Sequence, residues 1–131
     1  MEIDLPDVLA EVRAEFDRYE QALIINDVAT LDAIFYDDPR TIRYGGGEIL
    51  YGYQEIAAFR SARSPAGLMR GLSRTVITTY GRDFAVASTL FRRESVPGKV
   101  GRQMQTWVRF KDGWHVVAAH VSMIPDPGAS S

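Results

Sequence analysis

Cysteine is absent from the 131-residue chain, which removes disulfides, thiolate nucleophiles, iron–sulfur clusters and cysteine-ligated zinc together. Histidine is scarce as well. The two present, His115 and His120, show no ligand spacing, so no metal is expected. Long apolar runs are missing: Glu2, Asp4, Asp7, Glu11 and Arg13 interrupt the first 25 residues. The reading is therefore a cytoplasmic protein without a secretory core or membrane span. A basic excess is missing too. With a net charge of −2 no nucleic-acid or anionic-membrane partner is expected. The triplet Gly45-Gly46-Gly47 lacks the lysine and strand-to-helix setting of a phosphate loop and reads as a flexible loop. Nothing in the chain implies a cofactor.

What is present suffices for one core, since 46% of the residues are hydrophobic. A single domain over 1–124 is expected, with 125–131, rich in Pro, Gly, Ser and Ala, as a flexible tail. Between Leu5 and Ile25, apolar residues at Val8, Val12, Phe16, Tyr19 and Leu23 have helical spacing and turn Tyr19 inward. Asn26-Asp27 ends that helix and caps a second over 28–35. A short strand over 40–44 and a third helix over 53–63 follow. Segments 69–79, 83–95, 102–111 and 114–123 then read as strands separated by turn signals. Three N-terminal helices packed in a curved antiparallel sheet give an α+β cone with a central cavity.

The last hairpin decides which strand residues face that cavity. A three-residue Lys111-Asp112-Gly113 loop would oppose Phe110 to Trp114. Arg102, Met104, Thr106 and Val108 then share a face with Ser122, His120, Ala118 and Val116, and this face is assigned to the cavity. The opposite face, with Gln103, Gln105, Trp107, Val117, Ala119, Val121 and Met123, is too apolar for water and is expected to form a homodimer interface.

Phe35, Asp37-Asp38, Thr41-Ile42-Arg43 and Gly52-Tyr53-Gln54-Glu55-Ile56 together resemble the opening of nuclear transport factor 2-like enzymes such as ketosteroid isomerase. In that comparison Tyr19 keeps the oxyanion-hole position, whereas Arg43 replaces the catalytic base and Thr106 the second acid. Arginine cannot abstract a proton as a carboxylate does, so isomerase chemistry is not expected. A closer resemblance, carried by LYGYQEIAAFRSAR and GRQMQTWVRFKDGWHVVAAHVSM, is to the AtzH-like family. It implies hydrolysis of a C–N bond, as in a 1,3-dicarboxyurea amidohydrolase, with Tyr19 and Arg43 as the catalytic pair.

Spacing alone leaves Tyr19 and Arg43 open between a functional pair and a core tyrosine beside a structural arginine. Taken as functional, Arg43 holds a substrate carboxylate through two hydrogen bonds. Tyr19 either activates water or donates to a developing oxyanion. Arg60 and Arg63, on one side of the third helix, either reach over the cavity mouth to a second carboxylate or run along the surface to nearby acids. Arg102 has the same two readings. His120, with Ser122 beside it on the assigned face, is either an acid–base group or a buried, hydrogen-bonded strand histidine. A binding or assembly module for an acidic metabolite is the alternative to an enzyme, and a dehydratase would want a carboxylate beside His120.

Overall fold

Pro6, whose missing N–H costs nothing in a first turn, opens α1 (Pro6–Ile24). Val8, Val12, Phe16, Tyr19 and Leu23 are buried along one side, as their spacing predicts. Asn26 takes a left-handed conformation (φ 54°) beyond the helix end. Asp27 then caps α2 (Val28–Ile34) by accepting from the Thr30 amide at 3.2 Å. After β1 (Ile42–Tyr44) and β2 (Ile49–Tyr51), α3 (Tyr53–Ala62) turns Ile56 and Arg60 inward. The rest is β3 (Gly71–Tyr80), β4 (Phe84–Arg92), β5 (Lys99–Phe110) and β6 (Gly113–Pro125).

The computed structural model describes residues 1–128 and forms one six-stranded sheet in the order β2-β1-β6-β5-β4-β3. The expected antiparallel meander holds for β3 to β6, whereas β1 joins β6 in parallel, pairing Arg43 with Ala119. β2 is an addition to the sequence reading: the glycine triplet is the turn of a β1–β2 hairpin. The start of the expected tail is held in place. The Arg92 guanidinium grips Asp126, and the Asp126 amide donates to the Gly98 carbonyl at 2.9 Å. Residues 129–131, also read as tail, lie outside the described residues.

The expected pairings of Arg102, Met104 and Thr106 with Ser122, His120 and Ala118 hold, but that face is not the interior one, and the register nearer the turn differs. The turn has two residues, so Phe110 pairs with Gly113, and Trp107 pairs with Val116. Thr106 next pairs with Ala118, which leaves Val117 unpaired in a β-bulge. Trp114 and Val116 point inward before the bulge, and Ala119 joins the same core after it. Trp107, Gln103 and Gln105 are therefore interior, with exposures of 0%, 3% and 0%. The face proposed as an interface is the one that meets the helices. Arg102, Met104, Thr106, His120 and Ser122 lie on the outer face, where Met104 is 55% exposed.

Inner-face packing leaves no slack where β4 meets β5. Phe91 pairs with Gly101, and a β-carbon added at 101 would lie 2.1 Å from the Phe91 ring. Gly101→Ala is expected to destabilise the fold by about 1–3 kcal/mol through overpacking. A urea midpoint equal to wild type would show that the ring moves freely. Recovery in Gly101→Ala/Phe91→Leu would locate the clash.

Candidate functional site

An arginine facing a protein interior needs a partner for its charge, and the ways this chain meets that need define the site. Arg43, 8% exposed, points inward from β1, and its Nη1 donates to Glu48 Oε1 at 2.7 Å. The β1–β2 turn makes that contact possible. The Gly45 amide donates to the Glu48 carbonyl, and the Glu48 side chain folds back over Gly45. A β-carbon at 45 would lie 1.8 Å from Glu48 Oε1, so glycine leaves the room the carboxylate occupies. Phe59 of α3 lies beneath the Arg43 guanidinium, 5.6 Å from ring centroid to Cζ.

Two further arginines are matched. Arg60 donates to Asp32 Oδ1 at 3.1 Å and stacks over Phe35, binding α3 to α2. Arg70, at the entrance to β3, makes a two-pronged pair with Glu20 of α1 and donates to Gln103 Oε1 at 2.8 Å. Its Cζ lies 4.4 Å from the centroid of Phe91.

Arg63 and Arg93 are not matched. Arg63, at the end of α3, has one polar side-chain contact, Asn26 Oδ1 at 3.4 Å. Arg93, just past β4, has its guanidinium 5.0 Å from the Phe91 ring centroid. Neither forms an ion pair among the described residues, and the Nε of each is buried without a partner. Burial lowers both pKa values below that of an ordinary arginine. Neighbouring positive charge adds to this: Arg60, Arg43 and Arg93 act on Arg63, and Arg70 and Arg43 act on Arg93, while Tyr19 opposes the shift at each and the Glu20 carboxylate opposes it at Arg93. Arg43, Arg63, Arg93 and Tyr19 thus share one electrostatic environment.

Tyr19 is 3% exposed, and its ring centroid lies 6.3 Å from that of Phe35. Its hydroxyl has no hydrogen-bond partner among the described residues. The structure thus brings Tyr19, Arg43 and Arg63 into one interior, and Arg60 joins them with its charge already met by Asp32.

Arg102, Thr106, His120 and Ser122 are instead on the outer face, where Arg102 donates to Ser122 Oγ at 3.0 Å and His120 meets the Tyr44 ring edge-on. On β5 the interior alternation runs through Gln103, Gln105 and Trp107, which turns Arg102 and Thr106 outward, and the β6 bulge keeps His120 and Ser122 beside them. Glu48, Glu20, Arg70 and Arg93 were missed. Two signals were available for them. Ile42–Tyr44 and Ile49–Tyr51 flank a glycine triplet as hairpin strands do, and Arg93 continues the alternation of Ala85, Ala87, Thr89 and Phe91.

Helices cradled by a curved sheet give the protein the nuclear transport factor 2-like fold. A protein of that superfamily from Salmonella enterica serovar Typhimurium matches it with a TM-score of 0.73, at 23% identity over 95% of this chain and 96% of the other. Within that class the chain belongs to the AtzH-like family, whose sequence profile matches residues 1–127. Two solved structures are more similar to the chain. One, a protein of unknown function of the DUF3225 family from Pectobacterium atrosepticum, is 60% identical over 93% of this chain and 94% of that one, with a TM-score of 0.91. The other, a cystatin-like fold protein from Burkholderia xenovorans, is 47% identical over 97% and 99%, with a TM-score of 0.93. No protein with a curated description matches the chain.

The Glu48–Arg43 pair is open to direct measurement. Glu48→Gln leaves the Arg43 charge unmet and is expected to lower Tm by about 3–6 °C, the effect of roughly 1 kcal/mol in a domain of this size. Millimolar acetate should restore much of the loss. A variant as stable as wild type and indifferent to acetate would mean that the pair contributes nothing.

Proposed function

We propose that the chain is a cytoplasmic hydrolase that cleaves a C–N bond in a small carboxylated amide or urea, with chemistry supplied by Tyr19 and Arg43. One observation carries this reading: a buried tyrosine whose hydroxyl makes no hydrogen bond among the described residues shares its surroundings with buried arginines in a member of the AtzH-like family. Between the helices and the sheet, Ala87 and Ala119 flank Gln105 on the inner row that also carries Arg43.

In this scheme Arg43 binds a substrate carboxylate and fixes the neighbouring carbonyl near Tyr19, with Arg63 adding positive charge. Water adds to the carbonyl carbon. The C–N bond breaks, and the departing nitrogen takes up a proton. Tyr19 serves either as a phenolate that accepts the proton of the attacking water and passes it to the departing nitrogen, or as a phenol that donates a hydrogen bond to the oxyanion while the water's proton passes to the nitrogen directly. A dicarboxylated urea is the substrate that the family resemblance implies. Carboxylates already lie in this interior, on Glu48 and Glu20, but each is engaged by an arginine.

The test is turnover of 1,3-dicarboxyurea and related carboxylated amides, following ammonia or bicarbonate. Tyr19→Phe is expected to reduce kcat by about 10²–10³-fold, the usual cost of one oxyanion donor. Arg43→Met should raise KM and lower kcat/KM by about 10²-fold or more. Absence of turnover across the panel, with carboxylate binding retained, would make the protein a binding module.

A homodimer through the outer sheet face belongs to the same proposal. Tyr44, His120, Met104, Ser88 and Val76 form a row across that face, with Met104 and Val76 exposed. An open depression of about 560 Å³ lies along it. Light scattering should return twice the chain mass of 14.6 kDa. Met104→Glu should return the single mass, and a wild-type monomer would remove the interface.

A further inference from the structure

Hydrolysis of an amide or urea needs a group that takes the proton of water as the new C–O bond forms and gives it to nitrogen as the C–N bond breaks. Three carboxylates meet the buried arginines Arg43, Arg60 and Arg70, and their surroundings separate them. Glu20, in α1, has both oxygens on the Arg70 guanidinium and a side chain only 9% exposed. Asp32, in α2, holds Arg60 and with it α3. Both stand on helices. Glu48 stands on the β1–β2 turn, gives only Oε1 to Arg43, and its Oε2 accepts only the Gly47 amide, at 3.1 Å. A carboxylate accepts about four hydrogen bonds, so half of its capacity is unused. With 21% of the side chain exposed, it is also open to water.

We propose that Glu48 is the general base of the reaction. The inference rests on the functional reading above, in which a substrate carboxylate takes the Arg43 guanidinium. Glu48 then leaves Nη1 without leaving the site, because its stem is fixed: its carbonyl accepts from the Gly45 amide at 3.0 Å, and Ile49 beyond it pairs with Tyr44. The turn has room for the carboxylate to swing, since a β-carbon at Gly46 or Gly47 would meet nothing within 4 Å. An adjacent positive charge weakens any carboxylate as a base. The exchange that seats the substrate therefore also restores the base. Glu48 accepts a proton from water as the water oxygen bonds to the carbonyl carbon, and Tyr19, as a phenol, donates a hydrogen bond to the oxyanion that results. The C–N bond breaks with its electron pair going to nitrogen. Glu48 delivers the proton to that nitrogen and is a carboxylate again.

The assay is turnover of 1,3-dicarboxyurea by wild type, Glu48→Gln and Glu48→Ala, the last with formate or acetate added. Glu48→Gln is expected to lose kcat about 10²–10³-fold with KM no higher than wild type, because Arg43 is kept and has no carboxylate to give up. Glu48→Ala should regain part of its kcat with either acid, and more with acetate, the stronger base of the two. A carboxylate that only holds the fold would be replaced equally well by both. Equal rescue, or a Glu48→Gln kcat matching wild type, would overturn this inference and leave Tyr19 and Arg43 as the catalytic pair. Should Glu48→Gln fail to fold, Glu48→Asp carries the test, since it keeps the charge and withdraws the oxygens by one methylene. It is expected to melt as wild type does and to lose about tenfold or more in kcat, and an unchanged kcat would overturn the inference. Wild-type protein without turnover would overturn both this inference and the functional reading.

Discussion

A strand alternates its side chains between two faces, and one unpaired residue reverses the alternation for everything beyond it. In β6 that residue is Val117. The bulge lets Trp114 and Val116 fill the core at one end of the strand while Ala119 lies inward at the other. Because β1 docks on β6 with Arg43 opposite Ala119, the inward direction of Arg43 follows from the same reversal. Gln105 and Ala87 face inward without it, by plain alternation from Trp107 and Ala85, and the bulge is what brings Ala119 into line with them.

The helices and most of the sheet were legible because their signals are local. A stripe at Val8, Val12, Phe16, Tyr19 and Leu23, the cap at Asp27 and the turn glycines each act within a few residues. The family resemblance was legible for the same reason, since it rests on contiguous segments that the matched profile spans. The inner face was harder to read. Gln103 and Gln105 look like surface residues until their carbonyl oxygens are seen to be taken by Arg70 and Trp107. Arg70 itself comes from 33 positions away. Pairings at that range leave no periodic trace, so an amide-bearing strand face was taken for a dimer interface.

Matching charge also divides the arginines into those that hold the fold and those that do not. Arg70 and Glu20 tie α1 to the sheet across 50 positions, and Arg60 ties α3 to α2 through Asp32. A buried pair of this kind stabilises little beyond what apolar residues would, yet losing one member is severe, so it fixes where helices sit. Arg63 and Arg93 have no such duty. Their desolvation is a standing cost to the fold, and the positive potential they create is uniform in sign near Tyr19.

Glu48 gives Arg43 a rival for any anion that enters. Being tethered by a short turn over Gly45, this carboxylate is present at the guanidinium at a local concentration that for such a short connection is on the order of millimolar or above. An incoming monoanion must outcompete it with a single contact and the full loss of its own free motion. The hairpin thus works as a threshold. On the proposed function, dilute acids with one weak point of attachment are turned away, and occupancy passes to molecules that bring additional contacts of their own.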